Sequence, residues 1–238
     1  MSDSPRAATI EVSGLCSGYH GVQVLKSLDF SVGREVFAVL GANGAGKTTL
    51  LATLARLLPL MGGTIRFEGL DVSHLAPYET AARGIAYVPQ EQGVFPYLTV
   101  LENLRVGGMI GSRPRQERMD EVFDLFPDLK SRLKQAAGTL SGGESRMVAC
   151  ARALMQDPKV MLLDEPTAGL SPLYVDLFMG KIREMHEARG VAIVLAEQNA
   201  TKALQVSDRV MVLSLGEAHA VMDASDITTQ QLKEGYRI

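Results

Sequence analysis

The run Gly41-Ala42-Asn43-Gly44-Ala45-Gly46-Lys47-Thr48 has the spacing G-x-x-x-x-G-K-[ST], which suits a loop wrapped around a phosphate chain. Glycine tolerates positive φ and carries no side chain, so the backbone can approach phosphate oxygens closely. Successive N–H groups then point inward as an anion nest. A helix beginning near Lys47 adds the positive end of its dipole. The Lys47 ammonium can bridge β- and γ-phosphates, and the Thr48 hydroxyl can ligate Mg²⁺. Such a loop needs a strand before it and a helix after it. The apolar run Val36 to Leu40 predicts the strand, and Leu50, Leu51, Leu54, Leu57 and Leu58 recur at helical spacing. The loop predicts nucleotide binding, but it does not separate a kinase, a GTPase, a helicase subunit or a transporter motor.

Two further groups narrow the choice. Val160 to Pro166 is an apolar strand pattern ending in Asp164 and Glu165. The first acid at such a strand end can hold Mg²⁺, often through water, and the second can polarise an attacking water. Leu140-Ser141-Gly142-Gly143-Glu144 precedes a helical stretch and forms a second anion-binding arrangement: backbone N–H groups, a hydroxyl and a helix start. One chain thus carries two phosphate-binding surfaces, which predicts that each completes the site of a partner subunit.

With these three motifs in this order, nearly the whole chain resembles the ATP-binding-cassette (ABC) ATPases. GANGAGKT resembles their Walker A motif, VMLLDE their Walker B motif and LSGGE their signature motif. The resemblance implies ATP and Mg²⁺ as ligands. Nucleotide contacts are implied for Gly41 to Thr49 (Gly41, Ala42, Asn43, Gly44, Ala45, Gly46, Lys47, Thr48 and Thr49), for the aromatic Tyr19 on adenine, for Gln90 in YVPQEQ, and for Ser141, Gly142, Gly143 and Glu144. Metal contacts are implied for Thr48, Gln90 and Asp164, and catalytic roles for Lys47, Glu165 and Gln198. Ala168 to Ser171 occupies the D-loop position.

Within the family the chain is most similar to the second ATP-binding subunit of branched-chain amino acid importers and their urea or amide relatives. The stretches GIAYVPQEQGVFPYLTVLENLRVGG, LFPDLKSRLKQAAGTLSGGE and LAEQNATKAL carry that similarity. It implies a second cassette, identical or different, two integral membrane permeases, and indirectly an extracytoplasmic solute-binding protein. It also implies peripheral placement on the cytoplasmic face of a bacterial inner membrane. An exporter ATPase, such as the lipopolysaccharide type, and a soluble non-transport cassette are the alternatives. Three positions depart from the wider family. Gln198 stands where a histidine is usual, Ser145 where a glutamine follows the signature, and PTAGLSP replaces the usual D-loop form. An amide donates without titrating near neutral pH, and the resemblance to the importer subfamily, which tends to carry EQN at this position, implies that Gln198 marks a subtype.

The elements that must hold these residues follow from periodicity. Short buried-strand patterns alternate with helical ones, which predicts an α/β fold with a largely parallel sheet. By resemblance this is a RecA-like P-loop NTPase core. Ile10 to Val12, Val24-Leu25 and Ile65 to Phe67 predict a small antiparallel β subdomain beside it. Ile85 to Val88, 160–163, 191–196 and 210–213 predict further strands. From Thr99 to Ala153 the pattern is helical, opened by the capping box Thr99-Val100-Leu101-Glu102, and another helix opens at Ser171-Pro172. A single cassette over 1–238 is expected, with the core at 1–92 and 154–238 and an inserted α-helical subdomain at 93–153.

Of the 238 residues, 24 are Lys or Arg and 27 are Asp or Glu, a net charge of -3 that argues against a nucleic-acid partner held by bulk charge. Cys16 and Cys150 make no disulfide framework, and Cys150 reads as core. The four histidines are scattered and suggest no metal site. No apolar run approaches the roughly 20 residues of a spanning helix, and the opening residues have no leader's apolar core.

Overall fold

The computed structural model describes residues 9–91 and 93–236. Residues 1–8, in which no leader is expected, lie outside the described residues, as do Gln92 and the last two residues of the tail. In chain order the elements are β1 (Ile10–Tyr19), β2 (Val22–Val32), β3 (Val36–Leu40), α1 (Lys47–Leu54), β4 (Leu60–Phe67), β5 (Leu70–Asp71), α2 (Pro77–Ala82), β6 (Ile85–Val88), α3 (Val100–Gly107), α4 (Arg115–Leu125), α5 (Gly142–Leu154), β7 (Val160–Asp164), α6 (Pro172–Arg189), β8 (Ala192–Glu197), α7 (Ala200–Val206), β9 (Arg209–Ser214), β10 (Glu217–Asp223) and α8 (Thr229–Tyr236).

Alternation governs the first sheet. In β1, Ile10 and Val12 turn inward while Glu11 and Ser13 face water, the period of two expected of a half-buried antiparallel strand, until a register shift after Val12 lets Leu15 turn inward. The sheet runs β2-β1-β4-β5, all antiparallel. The second sheet has the order β10-β9-β3-β8-β7-β6 and is parallel except for its β10 edge. Its inner strands are apolar on both faces and buried throughout, as parallel strands covered on both sides must be.

The two faces of β3 feed two different cores. Val36, Ala38 and Leu40 pack in one cluster with Val148 and Leu154 of α5 and Phe178 and Ile182 of α6. Phe37 and Val39 pack in the other with Leu50, Leu51 and Leu54 of α1 and with Ile10 and Leu15 of the antiparallel sheet. Each such fully buried Leu, Ile or Phe contributes roughly 2 kcal/mol through apolar area removed from water. Cys150 is fully buried in the first cluster, and burial pushes its thiol up to about 12.

The helical stretch begins as its capping box predicts. The Thr99 hydroxyl accepts from the Glu102 N–H at 3.2 Å, and the Thr99 N–H donates to the Glu102 carboxylate at 2.8 Å. Ser171 does stand at the start of α6, but its side chain makes no capping hydrogen bond. The leucine periodicity after the phosphate loop overshoots. α1 stops at Leu54, because the chain turns through a left-handed Arg56 (φ 61°) to reach β4, leaving Leu57 exposed. The strand expected at 191–196 is shifted by one residue at both ends, beginning at Ala192, so that Glu197 closes β8. β10, α2 and α8 carry no signal strong enough to have been expected.

Candidate active site

Strands β3, β6, β7 and β8 are parallel, so their carboxyl ends open at one edge of the sheet, where ligands of such folds sit. β3 runs into the phosphate loop, β6 is followed by Gln90, β7 ends in Asp164 and is followed by Glu165, and β8 is followed by Gln198. The phosphate loop is built on glycine for two reasons. Gly44 and Gly46 hold φ of 80° and 108°, and a Cβ on Gly41 would lie 2.2 Å from the Leu213 carbonyl oxygen.

Lys47 is 4% exposed. Its ammonium donates to the Gly41 carbonyl at 2.9 Å and the Ala42 carbonyl at 3.1 Å, and pairs with Glu165 Oε1 at 3.0 Å. The other carboxylate oxygen of Glu165 accepts from the Gln90 amide at 3.3 Å. The Thr48 hydroxyl donates to Asp164 Oδ1 at 3.1 Å, and the Tyr87 hydroxyl to Asp164 Oδ2 at 3.2 Å. Above these groups opens a cavity of about 420 Å³. Of the expected residues, Asn43, Gly44, Gly46, Lys47, Thr48, Thr49, Gln90 and Glu165 line it. Gly41, Ala42 and Ala45, also expected to contact nucleotide, do not line it: Ala45 is buried, and the Gly41 and Ala42 carbonyls hold Lys47.

Glu165 sits at φ 43°, a left-handed backbone that costs a non-glycine residue about 1 kcal/mol or more. Its N–H donates to the Ala196 carbonyl at 2.9 Å, which ties the end of β7 to β8. Burial is the main influence on Asp164 and pushes its carboxyl above the usual range. Hydrogen bonds from Thr48 and Tyr87 act against this, and the Glu165 charge adds to it. A buried carboxylate in that position gains from a cation. The hydroxyl of Thr48 and the carboxylate of Asp164 are adjacent hard oxygens, a donor set that suits Mg²⁺ retaining several waters. Among the described residues no group of three or more His, Cys, Asp and Glu side chains forms a metal cluster.

The remaining expected residues lie elsewhere. Ser141, Gly142, Gly143 and Glu144 open α5 and do not line the cavity. Ser141 and Glu144 form a capping box of their own. The Ser141 N–H donates to Glu144 at 2.9 Å, and Ser141 Oγ accepts from the Glu144 N–H at 3.4 Å. These bonds hold the Glu144 carboxyl below the usual range. Gly143 needs to be glycine: a Cβ there would stand 2.7 Å from the Tyr174 ring. Gln198 is exposed just beyond β8 and does not line the cavity, and Tyr19 is 41% exposed at the end of β1, also outside the lining.

Three residues at or beside the site were given no role of their own by the sequence, although Tyr87 and Glu197 lie within the stretches YVPQEQ and LAEQNATKAL. Val24 of β2 forms an apolar wall of the cavity. Tyr87 is one position in a short strand pattern, and its partner Asp164 is 77 residues away. Glu197, 3% exposed, accepts from Thr167 and from the Gln198 N–H. The strand order decides which partners they meet there.

Residues 25–168 match the family described as ABC transporter. The chain is 43% identical over 203 residues to the high-affinity branched-chain amino acid transport ATP-binding protein BraG of Pseudomonas aeruginosa, covering 84% of this chain and 87% of that protein. It is 37% identical over 204 residues to the probable branched-chain amino acid transport ATP-binding protein LivF of Archaeoglobus fulgidus, covering 85% and 86%. Its fold superposes with a TM-score of 0.82, at 25% identity, on a nucleotide-free ATP-binding cassette from an ABC transporter, covering 96% of this chain and 94% of that one. The site geometry and these likenesses agree, and the chain belongs to the ABC transporter family as one of its ATP-binding, ATP-hydrolysing subunits.

Proposed function

We propose that this subunit energises the import of branched-chain amino acids or related small polar solutes through partner permeases. The likeness to BraG and LivF supports the solute class. The observation that carries the catalytic half is the joining of Lys47 to Glu165 and of Thr48 to Asp164 over one cavity.

In this reading two cassettes close face to face. ATP lies on Gly41 to Thr49 of one, with adenine against Tyr19, and is covered by Ser141 to Glu144 of the other. Lys47 transfers its charge from Glu165 to the phosphates, which frees the Glu165 carboxylate to take a proton from water. Gln90 holds Glu165 from the opposite side, and Gln198 donates to the γ-phosphate. Thr48 and Asp164, with Gln90 beside them, would hold Mg²⁺, which when bound neutralises phosphate charge. Closure excludes water, so hydrolysis depends on association, and the products' like charges favour reopening. The helical segment 93–153 receives the permease, with Gln90 at its hinge. Peripheral placement on the cytoplasmic face of a bacterial inner membrane follows from that docking. Among the described residues no helix is long and apolar enough to cross a membrane.

The test is a pull-down from detergent-solubilised membranes, using tagged Glu165→Gln protein held with ATP and mass spectrometry of what accompanies it. Two permeases and a second cassette are expected, together with a genomic or biochemical link to a solute-binding protein. Recovery of ribosomal or DNA-repair proteins instead, or of the bait alone, would overturn the transport reading.

A further inference from the structure

Glu197 is a buried carboxylate that the hydrolytic reading above does not use. Its side chain closes β8 at 3% exposure. An unpaired carboxylate in that position would be costly, so its partners matter. The Thr167 hydroxyl donates to Oε1 at 2.7 Å and the Thr167 N–H to the same oxygen at 3.2 Å. The Gln198 N–H donates to Oε2 at 3.2 Å. Thr167 lies two residues beyond Glu165, and the Glu165 N–H already donates to the Ala196 carbonyl at 2.9 Å. The chain leaving β7 and the chain leaving β8 are therefore stitched together by backbone and side chain at the point where they deliver Glu165 and Gln198.

The residue type follows from the donors. Both loops present N–H or O–H groups, so the bridge must accept on two sides, and an ionised carboxylate is acceptor-only on both oxygens. A glutamine of the same shape would satisfy one loop and set an NH₂ group against the N–H of the other. Gln198 itself has a long side chain with several rotatable bonds, so its placement depends on a fixed backbone.

We propose that Glu197 is a positioning residue for ATP hydrolysis: by accepting from Thr167 and from the Gln198 backbone, it sets Gln198 relative to Glu165. The segment just after Glu165, which continues into the D-loop position, thereby governs where Gln198 points. This rests on the reading of Gln198 as a γ-phosphate donor.

A double-mutant cycle on the assembly recovered with the tagged chain tests it, with kcat and KM for ATP measured for Gln198→Ala, Glu197→Gln and the pair. Glu197→Gln should lower kcat about tenfold, the loss expected for one charged hydrogen bond, with KM changed less than twofold. In the Gln198→Ala background the same change should lower kcat less than twofold, because the residue it positions is gone. A purely structural role would reduce kcat equally in both backgrounds. Equal losses, or an unchanged kcat in Glu197→Gln, overturn the proposal while leaving the role of Gln198 intact. An unchanged kcat in Gln198→Ala overturns the underlying reading instead. Should Glu197→Gln fail to fold, Thr167→Val removes only the hydroxyl donor. It should lower kcat about threefold in the parent and not in Gln198→Ala, and equal losses in both overturn the proposal.

Discussion

Lys47 holds three acceptors with one ammonium: the carbonyls of Gly41 and Ala42 and the carboxylate of Glu165. On the proposed reading, its removal would deprive the phosphates of a cation and leave Glu165, Asp164 and the nucleotide in mutual repulsion. Lys47→Ala should therefore weaken ATP binding by about tenfold to a hundredfold, the range for about 1.4 to 2.7 kcal/mol of charged hydrogen bonding. Titration with a fluorescent nucleotide reads this directly, and unchanged affinity would remove the loop from nucleotide binding. Glu165→Gln keeps shape and hydrogen bonds but cannot take a proton. Turnover should fall by about 10² to 10⁴ while ATP binding persists. A steady-state phosphate assay beside the same titration separates the two effects, and normal turnover would exclude Glu165 as the base.

At the scale of the element, two helix starts share one chemistry and differ in what else they serve. α3 and α5 each open on a capping box, at Thr99 with Glu102 and at Ser141 with Glu144. Alanine at either cap should cost about 1 kcal/mol. For a chain this long that lowers the melting temperature by about 2–4 °C. Calorimetry should find the two variants alike. They should part in an ATPase assay, where Thr99→Ala retains turnover and Ser141→Ala loses it, because in the proposed closure only the Ser141 start would meet a partner's nucleotide. Equal turnover in the two variants would make the Ser141 cap a structural feature alone.

At the scale of the molecule, the phosphate-loop cavity and the Ser141–Glu144 surface occupy different parts of the chain, and the second does not line the first. On the proposed face-to-face closure, a single copy would offer half of two sites. Specific ATPase activity should rise with protein concentration, and light scattering of Glu165→Gln with ATP should report a doubled mass that ADP does not produce. A rate per molecule independent of dilution would mean that one copy suffices. Exposed apolar residues at the start of α6, Leu173 at 77% and Leu177 at 48%, stand beside the D-loop position, where a second cassette would cover them.

Local chemistry was legible in the residues alone wherever a short stretch of backbone dictates it. The phosphate loop, the acids ending β7 and the cap at Thr99 all satisfy needs within a few neighbouring residues, so type and spacing reveal them. The strands β3, β6, β7 and β9 were legible for a similar reason: an apolar run bounded by turn residues is local. The pairings were not. Tyr87 with Asp164, Thr167 with Glu197, Lys47 with Glu165 and Val24 at the cavity wall all depend on the order β10-β9-β3-β8-β7-β6 and on the sheet packed across from it. Parallel strands buried on both faces read the same in either direction, so no pattern along them says which neighbour a side chain will meet. The end of α1 failed for the converse reason: its leucines kept helical spacing past Leu54, but the path to β4 required a left-handed turn at Arg56, and the tertiary connection overrode the local preference.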